Sequence, residues 1–363
     1  MGTMPNSRSY PEAPLDNKGH LIHDEASQES LRQLKSIGAS LLYGFVALVM
    51  GFVNKGVLQL WPYSNTLLML QMAASILIVY TGSYSGIMSV RPFDSSSAKI
   101  LIPVVFFYNA NVAFSLAGLQ VLKIPIFNAL KRLTPVMIII VKFVIGDATP
   151  SRKVLYAVFT IVAGCFIAGI GDVSFDILGY SMALISCVLQ TTYLILVEKS
   201  GSDKGFNSNE LLLYNATLSL PVLLILILGT GEAFAAFSAF EGLLTSSRFF
   251  FPLVVFSLIM GSLLNYTLFL CTLWNSALTT TVVGAMKGVV SSVLGFFILG
   301  GLKVTPLVVA GISMNTFGGI WYAVLKYYER KKRIHDPHYT KSGQNVQPIL
   351  PTTTANLHMK FSK

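Results

Sequence analysis

Apolar positions gather along this chain into windows of about 20 residues, the length an α-helix needs to cross the hydrocarbon core of a bilayer. The windows fall near 36–56, 62–83, 98–120, 125–145, 153–171, 178–197, 208–229, 250–273, 278–299 and 305–327, which predicts ten membrane-spanning helices. The stretch GSDKGFNSN marks a clear loop between the sixth and seventh windows. Only Trp274, Asn275 and Ser276 interrupt the eighth and ninth.

Composition narrows the class. Of 363 residues, 53% are hydrophobic and 12% charged, whereas a soluble domain carries roughly 25% charged residues. A water-facing surface cannot be built from this inventory, so a soluble enzyme is excluded. The expected fold class is an all-α polytopic membrane protein. Residues 1–35 hold no apolar core and carry Glu12, Asp16, Asp24, Glu25 and Glu29. A signal peptide needs such a core and a transit peptide avoids acids, so this segment is expected to be a disordered cytosolic tail. Residues 329–363 are polar and contain proline, and read as a second cytosolic tail. Cys165, Cys187 and Cys271 all lie inside apolar windows and have neither disulfide-framework nor metal spacing; they read as packing residues.

The net charge of +10 would suggest a nucleic-acid partner in a soluble protein. Here the location of the cations matters more than their sum. With the N-terminus inside, eighteen Lys and Arg fall on the cytosolic side, among them Arg91, Lys99, Arg152 and Lys153, against Lys55, Lys123, Arg248 and Lys303 opposite. By the positive-inside rule both termini face the cytosol, as an even number of spans requires. No nucleic acid is expected, and the bilayer is the partner of this surface.

A repeat emerges at a spacing of 156 residues, which relates Asn109 to Asn265, Lys131 to Lys287, and Thr149-Pro150 to Thr305-Pro306. The register maps spans three to five onto spans eight to ten. It divides the chain into a first half, 36–171, and a second, 172–328, each of five spans. An odd number per half inverts the second relative to the first, the architecture of secondary transporters whose ligand site lies near the midplane.

Apart from Lys55, Lys99, Lys153 and Lys326 at the outermost turns, four cations lie within the windows: Lys131, Arg132, Lys142 and Lys287. Each costs roughly 2.5–3.5 kcal/mol at a helix centre, and the acidic residues all fall in tails, loops or span ends. A buried cation without an anion of its own implies that a ligand supplies one. Lys142 is close enough to the cytosolic end to snorkel to the headgroups. Arg132 points about 100° away from Lys131 on a continuous helix, which leaves lipid phosphate or a backbone carbonyl as its partner. Lys287 shares a face of small residues with Gly284 and Ser291 and is expected to point into the bundle. Lys131 shares its face with Asn128 and Pro135. Tyr43, Tyr108, Asn109, Asn111, Tyr214, Asn215, Asn265 and Tyr266 add amides and phenols at depth. The set describes a site for an anion with a hydrogen-bonding, stackable part, although any one of these Asn residues also serves helix packing. No intramembrane Asp, Glu or His relay is present, which favours anion exchange over proton symport.

On these residues the chain resembles the nucleotide-sugar transporters of the drug/metabolite transporter superfamily over roughly residues 36–328. LLYNATLSLP at 212–221 is similar to the family's FYNN motif, with Tyr214 and Asn215 matching and Ala216 in place of the second Asn. VVGAMKG at 282–288 is similar to its GALNK motif, with Gly284 and Ala285 matching, Lys287 in the Asn position and Gly288 in the Lys position. FNALKRLTP at 127–135 is a third point of likeness. Intact copies of the first two mark GDP-mannose carriers. The departures turn the resemblance toward the UDP-sugar branch, with plant-type UDP-N-acetylglucosamine/UDP-N-acetylgalactosamine transporters the nearest likeness.

The resemblance implies ten helices in two inverted halves, antiport of a cytosolic UDP-sugar for lumenal UMP, base recognition by Tyr214 and Asn215, and a substrate-contacting Tyr43 in the first span. It also implies a Golgi membrane, with the endoplasmic reticulum as alternative. The substrate set so expected is Lys287, Lys131, Tyr214, Asn215, Gly284, Ala285, Tyr43, Asn109, Asn265 and Ser291. No cofactor, metal or enzymatic activity is expected, and a homodimer stays open. Lys131-Arg132-Leu133-Thr134-Pro135 also resembles the lysine-to-proline run of plastid sugar-phosphate/phosphate translocators, the first rival. A GDP-sugar carrier and a membrane protein without transport activity are the others. Asn215-Ala-Thr and Asn265-Tyr-Thr have the form of glycosylation sequons but lie at membrane depth.

Overall fold

The computed structural model describes residues 17–122, 124–146, 151–171, 176–299 and 305–335. Among them the chain is all-helical: α1 (Asn17–Leu60), α2 (Ser64–Tyr84), α3 (Ser95–Val121), α4 (Ile124–Lys131), α5 (Thr134–Val144), α6 (Arg152–Gly171), α7 (Ile177–Lys204), α8 (Ser208–Gly229), α9 (Glu232–Ser246), α10 (Phe250–Trp274), α11 (Ala277–Leu299) and α12 (Pro306–His335). Eight segments within these are long and apolar enough to cross a membrane: Gln33–Leu60, Ser64–Tyr84, Ser95–Gly118, Arg152–Gly171, Ile177–Lys204, Ser208–Gly229, Phe250–Trp274 and Pro306–Glu329. Helix α1 starts at Asn17, so the expected N-terminal tail is helical from that residue onward. Its residues 1–16, and the C-terminal 336–363, lie outside the described residues.

The fourth apolar window is not one helix. It breaks at Arg132 and Leu133, between α4 and α5. Pro135 is the cause: it stands in the first turn of α5, and with no N–H it cannot bond the carbonyl one turn back. The chain tightens instead, with Leu133 N donating to Leu130 O at 2.9 Å. Two thiols add further hydrogen bonds to carbonyls at the break, Cys165 Sγ toward Ala129 O at 3.1 Å and Cys187 Sγ toward Leu130 O at 3.5 Å. Two of the three cysteines read as packing residues, Cys165 and Cys187, are thus hydrogen-bonded braces of the break. The face shared by Lys131 and Pro135 on a continuous helix does not persist across it.

Helix α9 was not among the expected spans. Its 15 residues include Glu232, Glu241 and Gly242, and it is too short to cross a bilayer at 1.5 Å per residue. It is fastened to the start of α2, where Glu232 accepts from Asn65 Nδ2, Thr66 N and Thr66 Oγ1 at 2.8–3.0 Å. Trp61 Nε1 donates to Ala236 O at 3.0 Å, and the Trp61 ring packs edge-on against Phe240 and Phe250.

Helices pair α1 with α10, α3 with α7, α2 with α8, and α6 with α12, while α11 packs on α1, α4 and α5. The α6–α12 contact is so close that a Cβ on Gly164 or Gly311 would strike the facing backbone at Asn315 or Ala168. Small residues at such crossings let helix backbones meet in lipid, where van der Waals packing supplies much of the attraction. At the ends, the side chain of Asn207 and that of Glu210 close a reciprocal capping box on α8, and Asp94 caps α3 through Ser97 N at 3.0 Å.

Candidate functional site

Six helices, α1, α3, α4, α5, α7 and α11, surround a cavity of about 260 Å³. Tyr43 comes from α1, Asn111 and Ser115 from α3, Phe127, Asn128 and Lys131 from α4, Gln190 and Leu194 from α7, and Thr280, Thr281, Gly284, Ala285, Lys287 and Gly288 from α11; Arg132 and Thr134 enter at the helix break. The break carries Lys131 to the end of α4, where its Nζ donates to Asn111 Oδ1 and Gln190 Oε1, both at 3.2 Å. The ammonium also stands 5.7 Å from the centroid of the Phe127 ring, within range of a cation–π attraction. Every one of these partners is neutral.

Lys287 lines the same cavity from α11. Neither it nor Lys131 has a carboxylate partner among the described residues. Small residues make the approach of α1 to α11 close: a Cβ on Gly44 would lie 3.1 Å from Val283 Cγ1, and one on Gly284 would lie 3.7 Å from the Tyr43 hydroxyl. The cavity therefore presents the ammonium groups of Lys131 and Lys287 and the guanidinium of Arg132 beside amide and hydroxyl groups, with no acidic side chain among the described residues of its lining. No group of three or more His, Cys, Asp or Glu that could hold a metal occurs among the described residues.

The other two intramembrane cations are engaged. Lys142, expected to reach the headgroups, instead pairs with Glu198 of α7, its Nζ lying 2.8 and 3.0 Å from the two carboxylate oxygens. The sequence placed that carboxylate at a span end, and helix α7 continues past it to Lys204. Arg132 is buried and donates through Nη1 to Asn315 Oδ1 and Thr316 Oγ1, each at 2.7 Å. Its partners are side chains of α12, neither lipid phosphate nor a backbone carbonyl.

Five of the expected site residues, Tyr43, Lys131, Gly284, Ala285 and Lys287, meet on this cavity. Tyr214, Asn215, Asn109 and Asn265 do not line it. Tyr214 lines a second cleft of about 410 Å³ with Arg91, Asp94, Phe206 and Glu210. There its ring stacks on Phe93 at 4.8 Å, and its hydroxyl accepts from Asp94 N at 2.9 Å. Arg91 and Glu210 form an ion pair at 2.6 Å in the same cleft; the hydrogen bond to Glu210 raises the Arg91 pKa above its ordinary value. Asn215 is buried, and neither amide atom finds a hydrogen-bond partner among the described residues. Asn109 Nδ2 donates to Ser219 Oγ at 2.8 Å and to Val105 O, and Asn265 accepts from the Tyr108 hydroxyl at 3.4 Å. Those two asparagines join helices. Ser291 belongs to α11, but its side chain lies outside the described ones.

Sequence reasoning missed Gln190, Ser115, Thr134, Thr280 and Thr281 as lining residues. Gln190 carried a usable signal, an amide in the middle of the apolar run CVLQTTYLIL. The hydroxyls carried none, because Ser and Thr within a span commonly bond their own helix backbone, as Thr281 does to Leu278 O at 2.9 Å.

Comparison with known proteins extends this picture. A family profile described as the Triose-phosphate Transporter family matches residues 37–323. The chain is 46% identical to the UDP-galactose/UDP-glucose transporter 7 of Arabidopsis thaliana, over 82% of this chain and 92% of that protein. It is 31% identical to the UDP-sugar transporter sqv-7 of Caenorhabditis elegans, over 82% and 90% respectively. It is 28% identical to the UDP-N-acetylglucosamine transporter UGNT1 of Arabidopsis thaliana, over 87% and 95%. One protein of known crystal structure shares the fold with a TM-score of 0.50 over 81% of this chain and 98% of that one, at 14% identity.

Proposed function

The chain belongs to the Triose-phosphate Transporter family, and from that premise we propose that it is an antiporter exchanging a cytosolic UDP-sugar for lumenal UMP across a Golgi membrane. Members of this family and the relatives named above are transporters rather than enzymes. One observation carries the choice of ligand: Lys131 and Lys287 line a single cavity, and neither has a carboxylate partner among the described residues. Two ammonium groups in a low-dielectric site repel each other and are costly to keep charged. A diphosphate or phosphate with about two negative charges removes both penalties at once. The amides of Asn111 and Gln190, already at 3.2 Å from Lys131, would orient the polar remainder of the ligand.

The sugar is weighed on the relatives. The one at 46% identity is named for UDP-galactose and UDP-glucose, and the one named for UDP-N-acetylglucosamine is at 28%. UDP-hexoses therefore stand ahead of the UDP-N-acetylhexosamines that the motifs suggested.

The architecture we propose is ten crossings in two inverted halves with both termini cytosolic. The eight spans are joined by α4–α5 taken together and by α11. Helix pairing supports this reading: exchanging the halves turns the α1–α10 pair into α7–α3 and returns α2–α8 and α6–α12 to themselves. Alternating access would rock one half on the other, permitted only when the lysine charges are neutralised. Return of the empty carrier would carry an uncompensated charge through the barrier, so exchange is obligatory.

The test is uptake into proteoliposomes loaded with UMP, using the purified chain and a panel of UDP-, GDP- and CMP-sugars. Saturable UDP-sugar uptake that vanishes without internal UMP is the expected result. The family's description favours a second reading, a sugar-phosphate/phosphate translocator. Uptake of triose phosphate against internal phosphate, with no response to UDP-sugars, would establish that reading instead.

A further inference from the structure

We infer that Glu198 is a positioning residue: one carboxylate outside the cavity that sets the separation of the two lysine-bearing segments, so that both ammonium groups reach one ligand. The inference rests on the anion-binding reading of the cavity given above.

Glu198 belongs to α7 and does not line the cavity. Both of its oxygens accept from Lys142 Nζ, at 2.8 and 3.0 Å, and Oε2 also accepts from the backbone N of Ala277 at 2.9 Å. Ala277 opens α11. The first N–H groups of a helix have no intrahelical acceptor, and a carboxylate placed there also gains from the helix dipole. Lys142 follows Lys131 by eleven residues across the α4–α5 break, and Ala277 precedes Lys287 by ten along α11. One side chain thus holds the end of the segment that presents Lys131 and the start of the helix that presents Lys287.

Helix α7 reinforces the arrangement from the cavity side, where Gln190 accepts from Lys131. It meets both lysines of the broken segment, one with an amide and one with a carboxylate. An exposed ion pair alone contributes little. Here the side chains of Lys142 and Glu198 are only 20% and 29% exposed, and the carboxylate has a second duty as the cap of α11. Ligand geometry is sensitive to such placement, since a displacement of about 1 Å can change a rate or affinity by orders of magnitude.

The experiment uses the full chain reconstituted in UMP-loaded proteoliposomes, with KM and Vmax for UDP-glucose uptake measured separately. Spin labels at exposed Val144 on α5 and Val290 on α11 give an independent distance, the three native cysteines being buried. We expect Glu198→Ala to raise KM about tenfold with Vmax within about twofold, because the binding groups remain but are misplaced. Glu198→Gln keeps an acceptor for Ala277 N and should raise KM only about threefold. The exchange Lys142→Glu with Glu198→Lys restores the ion pair but turns an ammonium toward the α11 N-terminus, so its KM should stay near that of Glu198→Ala. The distance between labels should shift outward in Glu198→Ala. Unchanged KM and distance in Glu198→Ala, or full recovery in the exchanged pair, overturns the inference. If Glu198→Ala does not fold, Glu198→Gln with a wild-type KM overturns it. Should the wild-type chain take up no UDP-sugar, the proposed function fails, while the label distance alone still decides the role of Glu198.

Discussion

Arg132 and Asn315, 183 residues apart in sequence, meet through a 2.7 Å hydrogen bond from Nη1 to Oδ1 deep in the bundle. Asn315 also donates to Ile161 O and to Cys165 Sγ, both at 2.9 Å. The amide ties the helix break to α6 and α12 at once. A hydrogen bond to a charged group contributes about 1.5–3 kcal/mol, and the cost of leaving the charge unpaired is at least as large. Asn315→Leu is therefore expected to lower the thermal midpoint of the purified protein by several degrees, in line with a loss of about 2 kcal/mol or more. Differential scanning fluorimetry in detergent checks it, with Thr316→Val, which removes only the second acceptor, as the milder comparison.

The two cavity lysines differ in how they are held. Lys131 has Asn111 and Gln190 as neutral partners, whereas Lys287 has no hydrogen-bond partner in the described residues. Replacing either by Gln should weaken UMP binding about 10- to 100-fold, the loss of one charged contact to a phosphate, at about 1.4 kcal/mol per decade. The double replacement should cost less than the sum, because both act on one anion. Isothermal titration with UMP reads all three. Equal affinity of Lys287→Gln and wild type would remove Lys287 from the site.

Close helix approach predicts a steric effect of a different kind. A side chain at Gly311 would meet the backbone N and Cα of Ala168, and backbone cannot move aside as a flexible side chain can. Overpacking costs about 1–3 kcal/mol where neighbours adjust, and more where they cannot. Gly311→Leu should abolish recovery of folded protein on size-exclusion chromatography, while Gly319→Leu, where nothing lies within 4 Å, should not.

Glu210 performs two tasks at the start of α8. It pairs with Arg91 at 2.6 Å, and it completes the capping box with Asn207. Glu210→Ala removes both, and the lost cap alone is expected to cost about 1 kcal/mol. Glu210→Gln retains the box and loses only charge, so its thermal midpoint should fall between the two. Because the hydrogen bond to Glu210 raises the Arg91 pKa, the contribution of that guanidinium is present below its unfolded pKa. It is lost only as pH rises through the still higher folded value, so raising the pH from 6 to 9 should leave it intact.

Much of this was legible in the sequence because lipid imposes few solutions. Windows of apolar residues located eight of the spans closely, and the rarity of Lys at depth singled out Lys131 and Lys287. Composition could not place Asn109, Asn265, Tyr214 or Asn215, since an amide or phenol at depth serves packing as readily as a ligand. The helix break at Arg132 had its signal in Pro135, but proline inside a span is common enough in membranes to be read through. The Lys142–Glu198 pair was hidden because helix α7 runs on past the apolar window. Helix α9 escaped because its 15 residues fall short of any spanning length.

Two lysines that face one cavity with no carboxylate partner among the described residues have an electrical consequence. On the proposed exchange, UDP-sugar inward and UMP outward each bring about two negative charges at neutral pH, so a full cycle shifts no net charge and a voltage across the membrane neither drives nor opposes it. The second ionisation of a phosphate monoester lies near pH 6. In a more acidic lumen UMP becomes a monoanion and matches only one of the two lysines, and its departure slows while the diphosphate ligand keeps its charge. Acidity on one side of the membrane would then act as a brake on turnover.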